Sequence, residues 1–215
     1  MPPKGQVVLL QKIIIMNAII FDLGGVLIDW NPAYLYSKIF LLEEDMQHFL
    51  QQICTSDWNE EQDAGRTIKE ATDLLIEQHP KHEENIRAFY GRWPEMLGGA
   101  IEPVVTIFSR LKETNSHKFY ALTNWSVETF PIAQQRFNFL TWFDGIVVSG
   151  EEKTRKPFAN FYHILLKRYN LEPNEVLFID DNLRNIKAAK ALGMNVIHFE
   201  TADLLEQRLV ELNLL

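Results

Sequence analysis

The 215-residue sequence predicts an α/β fold built on a parallel sheet, and three observations predict it. Short apolar runs without helical periodicity recur at 18–21, 118–122, 145–148, 176–179 and 195–199. Each is followed, directly or after a loop, by a segment with helical spacing, the signature of a parallel sheet covered on both faces. Between the first run and the second, residues 31–102 read as helices. A helical insertion at that point lies over the carboxyl edge of the sheet, where open α/β sheets bind ligands. The expected organisation is therefore a Rossmann-like core, 1–30 and 103–215, with an all-helical cap at 31–102.

The first run, AIIF at 18–21, is bounded by Asp22 and the pair Gly24-Gly25, so a buried strand ends in a carboxylate at a sharp turn. Asn31-Pro32 opens the first helix of the insertion, with proline at its first position. Thr67-Ile68-Lys69-Glu70 has capping-box spacing and starts a helix that runs to about His79, before Pro80. His79 and His82 are three apart, but Pro80 breaks the helix that would present both, so no metal site is expected there. Trp58, Phe89, Tyr90 and Trp93 read as cap core, one or two of them facing a pocket, and Asp29-Trp30 as a hinge. Helical spacing returns at 159–169 and 183–192, the second stopped by Gly193 as a C-terminal cap residue. Thr201 caps a final helix through Leu209.

An apolar fraction of 47% is enough for a full core in a chain of this length. A net charge of −8 without a block of lysines and arginines excludes nucleic acid and anionic membranes as expected partners. The single cysteine, Cys54, permits no intrachain disulfide, reads as a small buried hydrophobe and fits a reducing cytoplasm. Residues 5–20 are apolar, but Gln11 and Lys12 interrupt them and no small-residue cleavage site follows, so neither a signal peptide nor a membrane span is expected. Met16-Asn17-Ala18 reads like a start, with 1–15 as an upstream extension.

Four stretches emerge at the same end of the predicted sheet. Asp22 follows the first strand, Thr123-Asn124 the second, Lys156-Pro157 lies in the loop after the third, and Asp180-Asp181 ends the fourth. Taken singly, each has a bland explanation. Asp22 would open a turn, Thr123-Asn124 would be turn chemistry, Lys156 would be a solvated lysine before a helix starting at Pro157, and Asp180-Asp181-Asn182 would cap a helix. Capping does not require all four at one sheet edge. Asp22, Asp180 and Asp181 would crowd negative charge that needs a cation, and oxygen ligands of this kind suit Mg²⁺. The Thr123 hydroxyl, the backbone N–H groups around Asn124 and Trp125, and the Lys156 ammonium would receive a phosphoryl group.

These four stretches, FDLGGVL, ALTNWS, RKPFANF and FIDDNLRNIKAAKALG, resemble in content and order the four motifs of the haloacid dehalogenase-like hydrolases. The resemblance implies a mobile cap and an aspartyl nucleophile, Asp22, with Thr123, Asn124 and Lys156 binding the transferred group. It also implies a Mg²⁺ site formed by Asp22, the Gly24 carbonyl and Asp181, with Asp180 beside them. Many phosphatases of this family carry a second aspartate two residues after the nucleophile, as acid and base. Here that position is Gly24, and general acid–base help of this kind is worth about 10²–10⁴-fold. Asn185 stands where many members have a further acid, and would position Lys156 or a water.

The expected function is Mg²⁺-dependent hydrolysis of a small phosphorylated metabolite, such as a sugar phosphate. Either its leaving group needs little protonation, or a cap residue or water supplies the proton. Dehalogenation by the same aspartate and metabolite binding without turnover are the alternatives. Two adjacent aspartates in the last motif favour phosphoryl transfer, because they would repel a carboxylate substrate unless a cation were bound.

Overall fold

The structure, a computed structural model, describes residues 16–215; the expected upstream extension lies outside them. Among the described residues the chain runs β1 (Ala18–Phe21), β2 (Ile28–Trp30), α1 (Ala33–Tyr36), α2 (Glu43–Gln52), α3 (Ser56–Asp63), α4 (Ile68–Gln78), α5 (Glu83–Gly91) and β3 (Leu97–Ala100). It continues through α6 (Glu102–Glu113), β4 (Lys118–Thr123), α7 (Phe130–Arg136), β5 (Gly145–Val148), α8 (Ser149–Glu152) and α9 (Ala159–Arg168). The last elements are β6 (Val176–Asp180), α10 (Leu183–Ala191), β7 (Asn195–His198) and α11 (Ala202–Glu211).

Five strands form a parallel sheet in the order β5-β4-β1-β6-β7. Alternate residues of β1 face opposite cores. Ile19 and Phe21 pack with Phe108, Leu111, Leu205 and Leu209 of α6 and α11, while Ala18 and Ile20 pack with Phe161, Leu165 and Ala189 of α9 and α10. Burial on both faces is why these runs are apolar throughout instead of alternating. Register brings Phe21 opposite both Ala121 and Ile179, so Asp22, Thr123 and Asp180 leave neighbouring strands at one edge.

Helices α1 to α5 stand over that edge around an aromatic centre of Tyr36, Phe49, Phe89 and Trp93. The Thr67 hydroxyl accepts from the Glu70 N–H at 3.2 Å, as the capping-box spacing predicts. Cys54 is buried. Gly193 takes φ +88° at the end of α10, and Thr201 caps α11.

Three local readings change. β3, sequence LGGA, pairs antiparallel with β2 and ties the cap's exit to its entrance. Two glycines with almost no β-propensity hid it. Helix α9 begins at Ala159, as its spacing predicts, whereas α1 begins at Ala33 with Pro32 as its cap instead of its first residue. Asp29 and Trp30 lie in β2, on the cap's entrance side of this small sheet. No helix among the described residues is long and apolar enough to cross a membrane.

Candidate active site

At the end of β1, Asp22 N–H donates to the Ile179 carbonyl at 2.8 Å, and the Asp22 carboxylate accepts from Leu23 N–H at 2.7 Å. The two glycines that follow have different reasons. Gly25 holds φ +76°, and the Asp181 carboxylate occupies the space its Cβ would need. A side chain there would be strained and would expel Asp181. Gly24 has neither constraint: its φ lies outside the left-handed region and, among the described residues, a Cβ would meet nothing within 4 Å.

Lys156 is completely buried, against the reading of a solvated lysine. Its Nζ lies 2.8 Å from Asp22 Oδ2 and 2.6 Å from Asp180 Oδ2. Asn124 fixes the lysine backbone in both directions: its Nδ2 donates to the Lys156 carbonyl at 3.0 Å, and its Oδ1 accepts from Lys156 N–H at 2.9 Å. Asp180 also accepts from Asn182 N–H at 2.7 Å and from Asn185 Nδ2 at 3.1 Å to each oxygen. Asn185 therefore positions Asp180, and through it Lys156. Helix capping falls to Asn182, whose side chain accepts from Arg184 N–H, rather than to the aspartates.

Thr123 is 1% exposed and its hydroxyl has no partner among the described residues. An unmet buried hydroxyl costs about 1–3 kcal/mol, so it marks a place prepared for an oxygen from outside the chain. Of the amides expected to meet a phosphoryl group, that of Trp125 is already engaged, donating to Ser149 Oγ at 2.9 Å.

Asp22, Asp180 and Asp181 each offer an oxygen within 4.8 Å of the others. Burial pushes the Asp22 carboxyl up; Lys156 pulls it down, and Asp180 and Asp181 push it up again, for a net rise. Asp181 is raised by burial and by Asp180. Burial works against the charge of Lys156, but Asp180 and Asp22 outweigh it and raise its affinity for a proton. With most of the Asp180 oxygens' capacity spent on Lys156, Asn182 and Asn185, the carboxylates of Asp22 and Asp181 are left to face an ion. An all-oxygen donor set with uncompensated negative charge fits Mg²⁺.

A cavity of about 70 Å³ opens over Gly24 and Asn124, between core and cap. Trp30, Trp93 and Trp125 wall it, with Asn59 and Asp63 of α3. Sequence reasoning missed the α3 residues. Asp63 is 9% exposed, and burial pushes its carboxyl up to about 7. Glu60 of the same helix is gripped from the core by Arg155, 3.0 Å away, and by Arg184. Nothing in SDWNEEQD marks which of its acids face inward, because the segment lacks an apolar stripe.

Residues 16–193 match the family model described as haloacid dehalogenase-like hydrolase. The sesquiterpene phosphatase astK of Aspergillus oryzae is 30% identical, over 85% of this chain and 89% of its own. The drimenol cyclase drtB of Aspergillus calidoustus is 26% identical over 92% of this chain, which spans only 36% of that protein. Among solved structures, a mutant of the HAD family enzyme bt-2542 from Bacteroides thetaiotaomicron, in complex with magnesium and inorganic phosphate, superposes with a TM-score of 0.67. It is 20% identical, covering 86% of this chain and 94% of that one, a likeness of fold.

Proposed function

The chain belongs to the haloacid dehalogenase-like hydrolases, and from that premise we propose that it is a Mg²⁺-dependent phosphatase acting on a small phosphorylated metabolite. The observation that carries this reading is the convergence of Asp22, Asp180 and Asp181 around one point, with Lys156 neutralising only one side of it. Bound Mg²⁺ would supply the missing positive charge and offset the negative charge of the phosphoryl oxygens.

Asp22 attacks phosphorus and becomes an aspartyl phosphate, which water then hydrolyses. Its carboxylate is held for attack by Leu23 N–H and Lys156. Thr123 donates its free hydroxyl to a phosphoryl oxygen, and Lys156 balances the charge of the group in flight. The side chains of Asn124 and Asn185 hold Lys156 and Asp180 in place. Asp22, the Gly24 carbonyl and Asp181 would hold the ion.

The cavity is smaller than the ~300–1,000 Å³ of sites that enclose a drug-sized ligand, so the cap is closed here and lifts to admit substrate. Its three indole walls favour an alcohol with an apolar face. A name such as sesquiterpene phosphatase, borne by a relative, is compatible with such a wall.

Phosphate release from a panel of phosphomonoesters, with Mg²⁺ and with a chelator, tests the reading. Release that requires Mg²⁺ and disappears in Asp22→Asn is expected. Halide release from 2-haloacids without metal would establish the dehalogenase instead, and tight phosphate binding without turnover would reduce the protein to a binder.

A further inference from the structure

We infer that Asp63, carried by the cap, is the general acid and base that Gly24 cannot supply. The inference rests on the phosphatase reading above and adds a catalytic residue to it. Its geometry starts at Gly24. The space where a side chain at that position would project is empty, and the cavity that fills it reaches Asn59 and Asp63 on α3. Among the described residues lining that cavity, Asp63 is the only titratable one. A carboxyl delivered from the cap thus shares one small space with the turn that follows Asp22.

The carboxyl is also held in place. Asn59 Nδ2 donates to Asp63 at 3.2 Å. Tyr90 hydroxyl donates to Asn59 Oδ1 at 2.9 Å, and Gln62 Nε2 to Tyr90 hydroxyl at 3.1 Å. From the core, Ser126 N–H reaches the same carboxylate. Because Asp63 rides on the cap, the acid is in place only when the cap is down. That links proton transfer to exclusion of bulk water.

Burial and the charge of Glu60 on its own helix raise the proton affinity of Asp63. Arg155 and Lys156 from the segment after β5, together with Ser126 N–H from the segment after β4, lower it again. Tyr90 faces it only through Asn59. The balance leaves the carboxyl at about 7, able to give and take a proton near neutrality.

In the first displacement Asp22 forms a bond to phosphorus while the ester P–O bond breaks. The bonding pair stays on the leaving oxygen, which takes the proton of Asp63. In the second, Asp63 carboxylate takes a proton from water as its oxygen attacks phosphorus. The bond to Asp22 breaks, and Asp22, phosphate and protonated Asp63 are restored. The sum is ester plus water to alcohol plus phosphate.

The test uses p-nitrophenyl, p-chlorophenyl, phenyl and benzyl phosphates, which are similar in size and increasingly poor in leaving group. It reads kcat/KM, which reports the first displacement. Asp63→Asn is expected to lower the value for benzyl phosphate by about 10²-fold or more, and for p-nitrophenyl phosphate by less than about tenfold. The alkaline limb of the wild-type pH profile disappears with it. Adding Gly24→Asp to that variant restores benzyl phosphate turnover. Equal losses across the series with an unchanged alkaline limb would overturn the role of Asp63 alone and leave a cap contact. So would a large gain from Gly24→Asp in the wild type with no loss from Asp63→Asn. No Mg²⁺-dependent release of phosphate from any of the four esters by the wild type would overturn the phosphatase reading, and this role with it.

Discussion

Lys156 Nζ lies 2.8 Å from Asp22 Oδ2, and neither group has an ordinary environment: the lysine is wholly buried and the aspartate nearly so. Breaking a buried pair by removing one partner costs about 3–5 kcal/mol, because the other charge stays behind unpaired. Here two partners would be left, since Asp180 leans on the same ammonium. Lys156→Met, close in length and apolar, is therefore expected to lower unfolding stability by about that much in a urea titration. Phosphate release would vanish even at temperatures where the variant stays folded. A variant as stable as the parent would mean that the lysine is not charged in the folded protein.

Thr123 makes the opposite prediction. Its hydroxyl is buried without a partner among the described residues, so Thr123→Val removes a polar group that they do not satisfy. Stability is expected to stay within about 0.5 kcal/mol or to rise, while kcat/KM for phosphate release falls by about 10²-fold, the scale of losing one donor to a developing oxyanion. Thermal melts and steady-state rates on the same preparation separate the two effects. A matching loss of stability would make the threonine structural.

What could be read from the sequence was whatever local pattern encodes. The apolar strands, the carboxylates at their ends and the Thr67 cap all depend on neighbours in the chain, and the structure has them at the predicted positions. Their convergence was legible too, because parallel strands joined by helices place their carboxyl ends at one edge. The burial of Lys156 was not. A lysine before a proline looks solvated until Asp22 and Asp180, 134 and 24 residues away, are placed on either side of it. Asp63 was hidden for a similar reason: the acids of 57–63 look alike in the chain, and only the docking of α3 onto the core decides which of them loses its water. β3 was lost to composition, since its partner β2 supplies the pairing that LGGA does not advertise.

Gly24 and Gly25 are adjacent but not equivalent, and metal binding should distinguish them. Mg²⁺ at a hundred times its Kd is expected to stabilise the wild type by about 2.7 kcal/mol, seen as a rise in Tm that a chelator reverses. Asp181→Asn should abolish that rise. Without metal it should be at least as stable as the parent, because one of three crowded carboxylates has lost its charge. Gly25→Ala should abolish the rise as well, and should cost stability, since alanine pays about 1–2 kcal/mol at a positive φ and displaces Asp181. Gly24→Ala, with open space around its Cβ, should keep both. Equal responses from the two alanine variants would contradict the geometry of the turn.

The Asp63 carboxyl gives a pH-dependent stability whose sign runs against the usual one for an aspartate. Its affinity for a proton is higher in the folded protein, about 7 against an ordinary 3.8, so between those values the folded state holds a proton that the unfolded chain has lost. Stability linked to this group is complete below about pH 4 and drains away as pH rises to about 7. Asparagine at the same position cannot ionise and escapes the loss. The difference in unfolding free energy between Asp63→Asn and wild type should accordingly move in favour of the variant by roughly 2–4 kcal/mol between pH 4 and pH 8, since each pH unit crossed between the two values is worth about 1.4 kcal/mol. Other carboxylates titrate in both proteins and cancel in that difference. Denaturant titrations at four or five pH values measure it. A difference that stays flat across the range would mean that Asp63 is ionised throughout, in which case it could hold the cap to Ser126 but could not donate a proton to a leaving group.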